Sequence, residues 1–137
     1  MNNLFIVWND SDYLGVPIID EQHRGIVSTI NSLHFLLRTK HAKSTLQAVV
    51  NTMREYTRIH FATEEMILEM IGYDQIEAHR ELHAKLIMKS NSVAYESKLL
   101  NDPQQYLQFL KDWWLTHIRQ QDKLYAPYAH RYMAARS

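Results

Sequence analysis

Six polar side chains interrupt the apolar faces of the helices that this sequence predicts. They are His23, His60, Glu64, His79, His83 and His117. Each occupies a position where steps of three and four residues otherwise place apolar side chains, which is the pattern of an amphipathic helix facing a core. Because an unpaired polar group buried in a core is strongly destabilising, all six require one common explanation. A shared metal site provides it, and a buried network of hydrogen-bonded histidines is the alternative.

The spacing of these residues suits a metal ion. His60 and Glu64 are four residues apart, and so are His79 and His83. Each pair therefore lies on one face of a helix, one turn apart, and can reach the same ion. Five imidazoles and a carboxylate exceed what a single tetrahedral zinc ion accepts. Imidazole combined with carboxylate suits iron or manganese, and a carboxylate can bridge two ions.

Asp122 is the predicted second bridging carboxylate. It follows His117 by five residues, which on a regular α-helix places it about 140° around the axis from that histidine. Both side chains can point into the interior only if the helix distorts or ends between them. The sequence therefore predicts an irregular helix at this point.

The segments that must position these residues are long, because the chain has only 3 Gly and 3 Pro to interrupt it. Their periodicity predicts helices at 19–38, 43–71, 75–99 and 103–120, and a short fifth helix near 123–134. Short connections make neighbouring helices antiparallel. The predicted fold is all-α, an antiparallel up-down-up-down four-helix bundle (about 19–120) with a short irregular N-terminal arm (1–18) and a short C-terminal helix.

The apolar face of each helix is called its seam below, and the six polar side chains on these faces are called the polar seam residues. All six belong to one end of such a bundle. They fall near the start of the first and third helices and near the end of the second and fourth. In an antiparallel bundle these four positions lie at the same level, so the side chains converge. At the helix starts, Asp20 is predicted to cap the first helix, Ser44 the second, and Asp102-Pro103 to begin the fourth.

Composition excludes several classes of protein. The 137 residues predict a single domain over 1–137 with its own core. The 15 basic and 15 acidic residues balance, which argues against a nucleic-acid-binding surface. The absence of cysteine excludes disulfides, thiolate zinc sites and iron–sulfur clusters. No apolar run approaches the roughly 20 residues of a membrane span. We expect a soluble, cytoplasmic monomer without a membrane insertion.

The motifs resemble those of the hemerythrins, especially the bacterial single-domain members of that family. The resemblance rests on Asp20-Glu-Gln-His23, His60-Phe61-x-x-Glu64, His79-x-x-x-His83 and Trp113-x-x-x-His117-Ile118-x-x-x-Asp122-Lys-x-Tyr125. It includes Trp8 and the Gly-Val-Pro-x-Ile-Asp approach to the first histidine, and it covers nearly the whole chain. All the ligand positions of the family are filled by the expected residue types.

The resemblance implies a non-haem di-iron centre, bridged by an oxo or hydroxo group, that binds O2 reversibly. It assigns one iron to His79, His83 and His117, and the other iron to His23 and His60. Glu64 and Asp122 would bridge the two ions. The iron with two histidines would keep the open position that takes O2.

The resemblance also implies an apolar O2 pocket beside that open position. The residues expected to line it are Ile26, Phe61, Trp113, Trp114 and Ile118. Trp114 departs from the family, which commonly has an aliphatic residue, often leucine, three positions before the histidine of the fourth helix. A bulky indole on the same helical face as His117 is expected to alter the pocket or its access.

Reversible O2 binding is the leading functional hypothesis, for storage, transport or delivery to an O2-using enzyme, and no enzymatic activity is expected. Ferritin-like di-iron proteins carry Glu-x-x-His motifs on two helices. No glutamate in this chain has a histidine three residues later. The alternatives are a sensor of O2, redox state or nitric oxide, and a di-iron oxidase or peroxidase.

The remaining residues of interest have structural explanations. Glu65 lies one residue off the seam and is expected to be solvated. Met53, Met66, Met70 and Met88 are expected to fill gaps in the core. His34, His41 and His130 are interpreted as surface or partly buried histidines. The sequence indicates no outer hydrogen-bond partner for any ligand histidine.

Overall fold

The computed structural model describes residues 4–39, 43–96 and 103–136 and confirms the all-α bundle. Its α-helices are α1 (Pro17–Leu37), α2 (Lys43–Met70), α3 (Ile76–Glu96), α4 (Pro103–Trp113) and α5 (Ala126–Arg136). Helices α1 and α3 each pack against both α2 and α4, as an antiparallel up-down-up-down bundle requires. No helix in these ranges combines the length and apolarity needed to cross a bilayer.

Two apolar clusters fill the bundle. The larger one, called the main core below, consists of Ile6, Ile26, Val27, Ile30, Leu33, Leu46, Val50, Met53, Phe61, Tyr106, Leu107, Leu110, Trp113, Trp114 and Ile118. The smaller one, called the end cluster, consists of Leu14, Val16, Ile19, Leu68, Tyr73, Tyr125 and Ala129. The end cluster closes the bundle at the end where the polar seam residues lie.

Helix α1 begins two residues earlier than predicted, and Asp20 is not its cap. Val16 occupies the N-cap position with extended backbone, and Pro17 supplies the first turn. Asp20 instead accepts hydrogen bonds from the backbone N–H groups of Leu14, at 2.7 Å, and Gly15, at 3.1 Å. The carboxylate therefore fixes the turn that precedes the helix, where Gly15 adopts a φ of 84°.

The end of α2 explains why α3 turns back towards the site. Gly72 has a φ of 70°, its N–H donates to the Glu69 carbonyl, and the Tyr73 N–H donates to the Leu68 carbonyl. This is a Schellman motif, which requires a residue that tolerates the left-handed conformation. Leu68 and Tyr73 are both buried in the end cluster, so the turn is fixed by packing as well.

The predicted irregularity of the fourth helix is confirmed. After Trp113 the backbone continues without a break as a π-helix (Trp114–Gln121), followed by a 3-10 turn (Asp122–Tyr125) and α5. The Asp122 N–H donates to the His117 carbonyl, which is the five-residue bond of a π-helix. That geometry brings residues five apart onto one face.

Some local expectations are wrong. Met53 is buried, but Met66, Met70 and Met88 are 71%, 57% and 72% exposed, because they lie on outer faces that the periodicity did not distinguish. Ser44 lies within the first turn of α2 rather than at its cap. Some positions covered by the sequence-based expectations fall outside the described residues. These are His41, Asp102, the side chain of Val93, and residues 97–100.

Candidate metal centre

All six polar seam residues, and Asp122 with them, lie in one buried layer between the main core and the end cluster. None of the seven is more than 5% exposed. Their donor atoms form two groups, each with all its atoms within 4.8 Å of one another. The first group is Glu64, His79, His83, His117 and Asp122, and the second is His23, His60, Glu64 and Asp122. This layer is called the polar layer below.

In the first group, three imidazole Nε2 atoms surround Glu64 Oε1 and Asp122 Oδ1. His79 Nε2 lies 2.7 Å from Glu64 Oε1, and His83 Nε2 lies 3.0 Å from the same oxygen. Asp122 Oδ1 lies 3.2 Å from His79 Nε2 and 3.3 Å from His117 Nε2. The result is a five-donor pocket of nitrogen and oxygen atoms.

The second group uses the other oxygen of each carboxylate. His23 Nε2 lies 3.2 Å from Asp122 Oδ2, and His60 Nε2 lies 3.6 Å from Glu64 Oε2. The two imidazole nitrogens are 3.2 Å apart. Glu64 and Asp122 thus present one oxygen to each group, an arrangement in which each carboxylate could contact two ions.

The chemistry of the donors fits metal ions better than a hydrogen-bond network. The His60 ring already commits its Nδ1–H to Gln22 Oε1, at 2.8 Å, so in the neutral ring Nε2 presents a lone pair towards His23. Both oxygens of Asp122 and Nε2 of His117 lack a hydrogen-bond partner among the described residues. Buried polar atoms of native proteins are almost always satisfied, and cations between these donors would satisfy them.

Two residues outside the predicted set hold the rings of two ligand candidates from behind, His60 and His83. Gln22 accepts from His60 as above and donates through Nε2 to Thr63 Oγ1, at 3.2 Å. Glu65 Oε2 accepts from the Nδ1–H of His83, at 2.9 Å. The Glu65 side chain is only 28% exposed and is hydrogen-bonded to His83. The expectation that it is solvated is therefore wrong. The available sequence signal was adjacency, since Gln22 and Glu65 directly neighbour the ligand candidates His23 and Glu64.

Tyr125 adds a hydroxyl to the polar layer. Its side chain is fully buried, and its O–H donates to Glu64 Oε2, at 2.9 Å. Burial, reinforced by the nearby carboxylates of Glu64 and Asp122, raises the pKa of Tyr125 well above its ordinary value. The phenol therefore keeps its proton at neutral pH and acts as a hydrogen-bond donor to the Glu64 carboxylate.

Burial and neighbouring charges shift the pKa values of the ligand candidates in opposite directions, and which of the two dominates differs from residue to residue. Burial lowers the pKa of His60 to about 4 and also lowers that of His117. Burial likewise disfavours charge on His79, but contacts with the Asp122 and Glu64 carboxylates outweigh it and raise the pKa of His79 to about 9. Burial would raise the pKa of Glu64, yet its contacts with His79 and His83 hold it well below its ordinary value.

Aromatic rings enclose the polar layer on the side of the main core. Phe61 stacks on His83 with ring centroids 3.8 Å apart and meets Trp113 edge-on at 5.9 Å. Trp114 is fully buried and stands perpendicular to His23 at 6.0 Å. Ile26 and Ile118 are buried in the same cluster. All five residues predicted to line a pocket thus belong to the main core.

The chain is similar to known proteins both in sequence and in structure. The family described as "Hemerythrin HHE cation binding domain" matches residues 14–129. A bacteriohemerythrin of Stenotrophomonas maltophilia is 32% identical over 122 residues, covering 88% of this chain and 79% of the relative. One of Methylococcus capsulatus is 28% identical over 128 residues, covering 89% and 95%. The crystal structure of a wild-type hemerythrin superposes with a TM-score of 0.79 at 26% identity, covering 91% and 98%.

Proposed function

The chain belongs to the hemerythrin family, and from that premise we propose that its polar layer holds two iron ions and binds O2 reversibly. The observation that supports this most directly is the pair of donor groups that share Glu64 and Asp122. Two iron ions held there would supply the electrons and the open coordination position that O2 binding requires. Imidazole and carboxylate are suitable ligands for such ions.

The two donor groups are unequal, and we assign their roles from that difference. His79, His83 and His117 would hold one iron, and His23 and His60 would hold the other, with both carboxylates bridging. The second group offers one protein donor fewer. Its ion would therefore keep the open position, next to the ring of Trp114.

The protein would contribute by excluding water and by controlling protons. Phe61, Trp113 and Trp114 separate the polar layer from solvent on the side of the main core, and each is at most 5% exposed. Tyr125 holds its proton at Glu64 Oε2. A dry pocket with few free proton donors favours the release of unchanged O2 over its reduction.

We propose a carrier rather than an enzyme because the donor set is rich in imidazole and poor in carboxylate. The two donor groups together contain five histidines and only two carboxylates. Storage of O2, or its delivery to an O2-using enzyme by a monomeric carrier, suits such a site. Di-iron sites of the ferritin-like class use more carboxylates.

Cycling the iron-loaded protein between O2 and argon tests the proposal. We expect about two irons per chain, by analogy with carboxylate-bridged di-iron sites, and a visible spectrum that changes reversibly over repeated cycles. His23→Gln should abolish the reversible change. His34→Gln is the matched control on the same helix, because His34 stacks on Phe5 outside the polar layer, and it should cycle normally. O2 consumption that depends on an added substrate would replace the carrier with an enzyme, and one tightly bound zinc without iron would refute the di-iron site.

A further inference from the structure

The two donor groups differ in the group that supports them from outside. In the second group, the His60 Nδ1–H donates to the amide oxygen of Gln22. In the first group, the His83 Nδ1–H donates to the carboxylate of Glu65. The two hydrogen bonds are nearly equal in length, at 2.8 Å and 2.9 Å. Their acceptors differ by a full negative charge.

That difference changes how strongly each imidazole donates to a cation. A carboxylate that accepts the Nδ1–H stabilises positive charge on the ring and makes Nε2 the stronger donor, whereas a neutral amide fixes the ring with a smaller effect. Loss of such an outer partner typically lowers metal affinity by about 10- to 100-fold. The first group therefore has two advantages, one additional histidine and one additional supporting charge.

Arg80 holds the Glu65 carboxylate in place. Its Nε lies 3.6 Å from Glu65 Oε1, and its guanidinium also pairs with Glu69, at 3.2 Å, and with Glu77. Arg80 and His83 both lie on α3, while Glu65 and Glu69 lie on α2. Glu65 is thus oriented between two groups of the neighbouring helix, with one oxygen on each.

We propose that Glu65 is a positioning residue that, through His83, makes the first donor group the tighter of two metal positions, so that the polar layer loads in a fixed order. The proposal rests on the two-metal part of the proposed function but not on O2 binding. The position completed by His79, His83 and His117 fills first. The position completed by His23 and His60 fills second.

Titration of the metal-free protein with Co²⁺ under argon tests the order, because the visible absorption of Co²⁺ reports each binding step. We expect two resolved steps. His83→Gln should weaken the tighter step, and His60→Gln should weaken the looser one, which assigns each step to its group. A single step with two equal affinities would overturn the proposal.

Glu65→Gln isolates the charge, since the amide keeps an acceptor for His83 and makes the support resemble that of His60. We expect the tighter step to weaken by about 10-fold and the looser step to stay within about threefold. Glu65→Ala should weaken the tighter step further, because the ring also loses its orientation. Gln22→Glu should strengthen the looser step by a similar factor.

Glu69→Gln is the matched control. Glu69 pairs with the same arginine and lies one turn further along α2, but its side chain is 74% exposed. We expect this variant to leave both steps unchanged. An equal loss of affinity in Glu69→Gln and Glu65→Gln would assign the effect to the ion pairs between α2 and α3 and would overturn the role of Glu65.

Two further measurements distinguish the proposed positioning role of Glu65 from a merely structural one. The metal-free Glu65→Gln protein should unfold at the same temperature as the parent. In the Co²⁺ protein, one exchangeable imidazole N–H resonance shifted by the metal should move in Glu65→Gln, and a different one should move in Gln22→Glu. A lower melting temperature with unmoved resonances contradicts the proposal. Ordered loading without reversible O2 binding would leave it intact while removing the proposed function.

Discussion

The polar layer and the main core are built on the same four helices and the same seams, yet they stabilise the bundle in different ways. In the main core, Leu110 and Met53 are buried among apolar side chains, and their removal from water favours folding by itself. In the polar layer, the equivalent positions hold His117 and His60. Burying those groups is unfavourable unless they are satisfied, so this end of the bundle depends on what binds in it.

The backbone shows the same contrast. Leu110 lies in the regular α-helical part of α4, while His117 lies in the π-helix that follows without a break. A π-helix is rare and intrinsically less favourable than an α-helix, and it occurs frequently at functional sites. Here the widened turn is what places Asp122 beside His117. The π-helical irregularity therefore occurs in the region whose side chains require it.

Removing the metal should separate the two regions most clearly. A ligand present at about 100 times its dissociation constant stabilises the folded state by about 2.7 kcal/mol, and a tighter or more abundant one by more. We therefore expect the metal-free protein to have a free energy of unfolding at least about 3 kcal/mol below that of the loaded protein. Urea unfolding of both forms measures the difference.

Leu110→Ala is the counterpart in the main core. It should lower the free energy of unfolding by about 2–5 kcal/mol, and by the same amount in the loaded and metal-free proteins, because the cavity lies outside the polar layer. Equal stability of the loaded and metal-free parent proteins would contradict the dependence of the polar layer on metal.

Trp114 lies where the two regions meet, between His23 and Trp8, whose ring centroid is 5.8 Å away. We propose that its indole limits passage between solvent and the second donor group. Trp114→Leu should then speed O2 association and dissociation and change the rate of autoxidation, with iron content unchanged. Trp114→Ala should in addition lower the free energy of unfolding by about 3–5 kcal/mol.

Trp113→Leu is the matched control for Trp114→Leu. It also removes a buried indole from the main core, but Trp113 packs against Phe61 and His117 on the side of the first donor group. We expect a smaller effect on O2 exchange. Stopped-flow mixing with O2 measures both variants, and identical kinetics in parent and Trp114→Leu would leave Trp114 with a packing role only.

The sequence predicts the fold and the convergence of the ligand candidates because both follow from periodicity. A seam of three- and four-residue steps determines which side chains face inward, and antiparallel packing determines their level. The five-residue spacing of His117 and Asp122 also predicts the distorted helix. The outer partner Glu65 could not be found this way, because it lies one residue off its own seam and its partner, His83, lies on a different helix.

An ion pair attaches the N-terminal arm to the π-helix that carries His117. Arg119 donates to Asp12 from Nε at 2.7 Å and to the Val7 carbonyl at 3.0 Å. Burial would raise the pKa of Asp12, but hydrogen bonds from Arg119 and from the Asn9 backbone N–H, together with the charges of Arg119 and Lys123, outweigh it and lower that pKa below its ordinary value. Asp12→Asn should lower the free energy of unfolding at pH 7 by about 1.5–3 kcal/mol.

The pH dependence of that difference has a definite sign. Because the folded-state pKa of Asp12 is lowered, its stabilising contribution is complete above the unfolded-state pKa, about 3.9, and is lost as the pH falls through the folded-state value. Urea unfolding of the metal-free parent and Asp12→Asn proteins should therefore give a constant difference between pH 7 and pH 5 that shrinks below about pH 4. A difference that grew in acid would contradict the ion pair.

Gly25 and Tyr56 set the close packing of α1 against α2 at the boundary between the polar layer and the main core, and we expect the smallest effect there. A Cβ at position 25 would lie 2.6 Å from Cζ of Tyr56 and closer still to its hydroxyl. Alanine is otherwise favoured over glycine inside a helix by about 1 kcal/mol. The atoms that clash belong to the far end of the half-buried Tyr56 side chain, which can shift. Gly25→Ala should therefore destabilise the parent by only about 1 kcal/mol, the low end of the cost of overpacking. In a Tyr56→Ala background the clash is gone, and the same substitution should stabilise by up to about 1 kcal/mol. Urea unfolding of the four proteins gives the coupling between the two sites. The same sign of effect in both backgrounds would show that the ring of Tyr56 is not what requires glycine at this boundary.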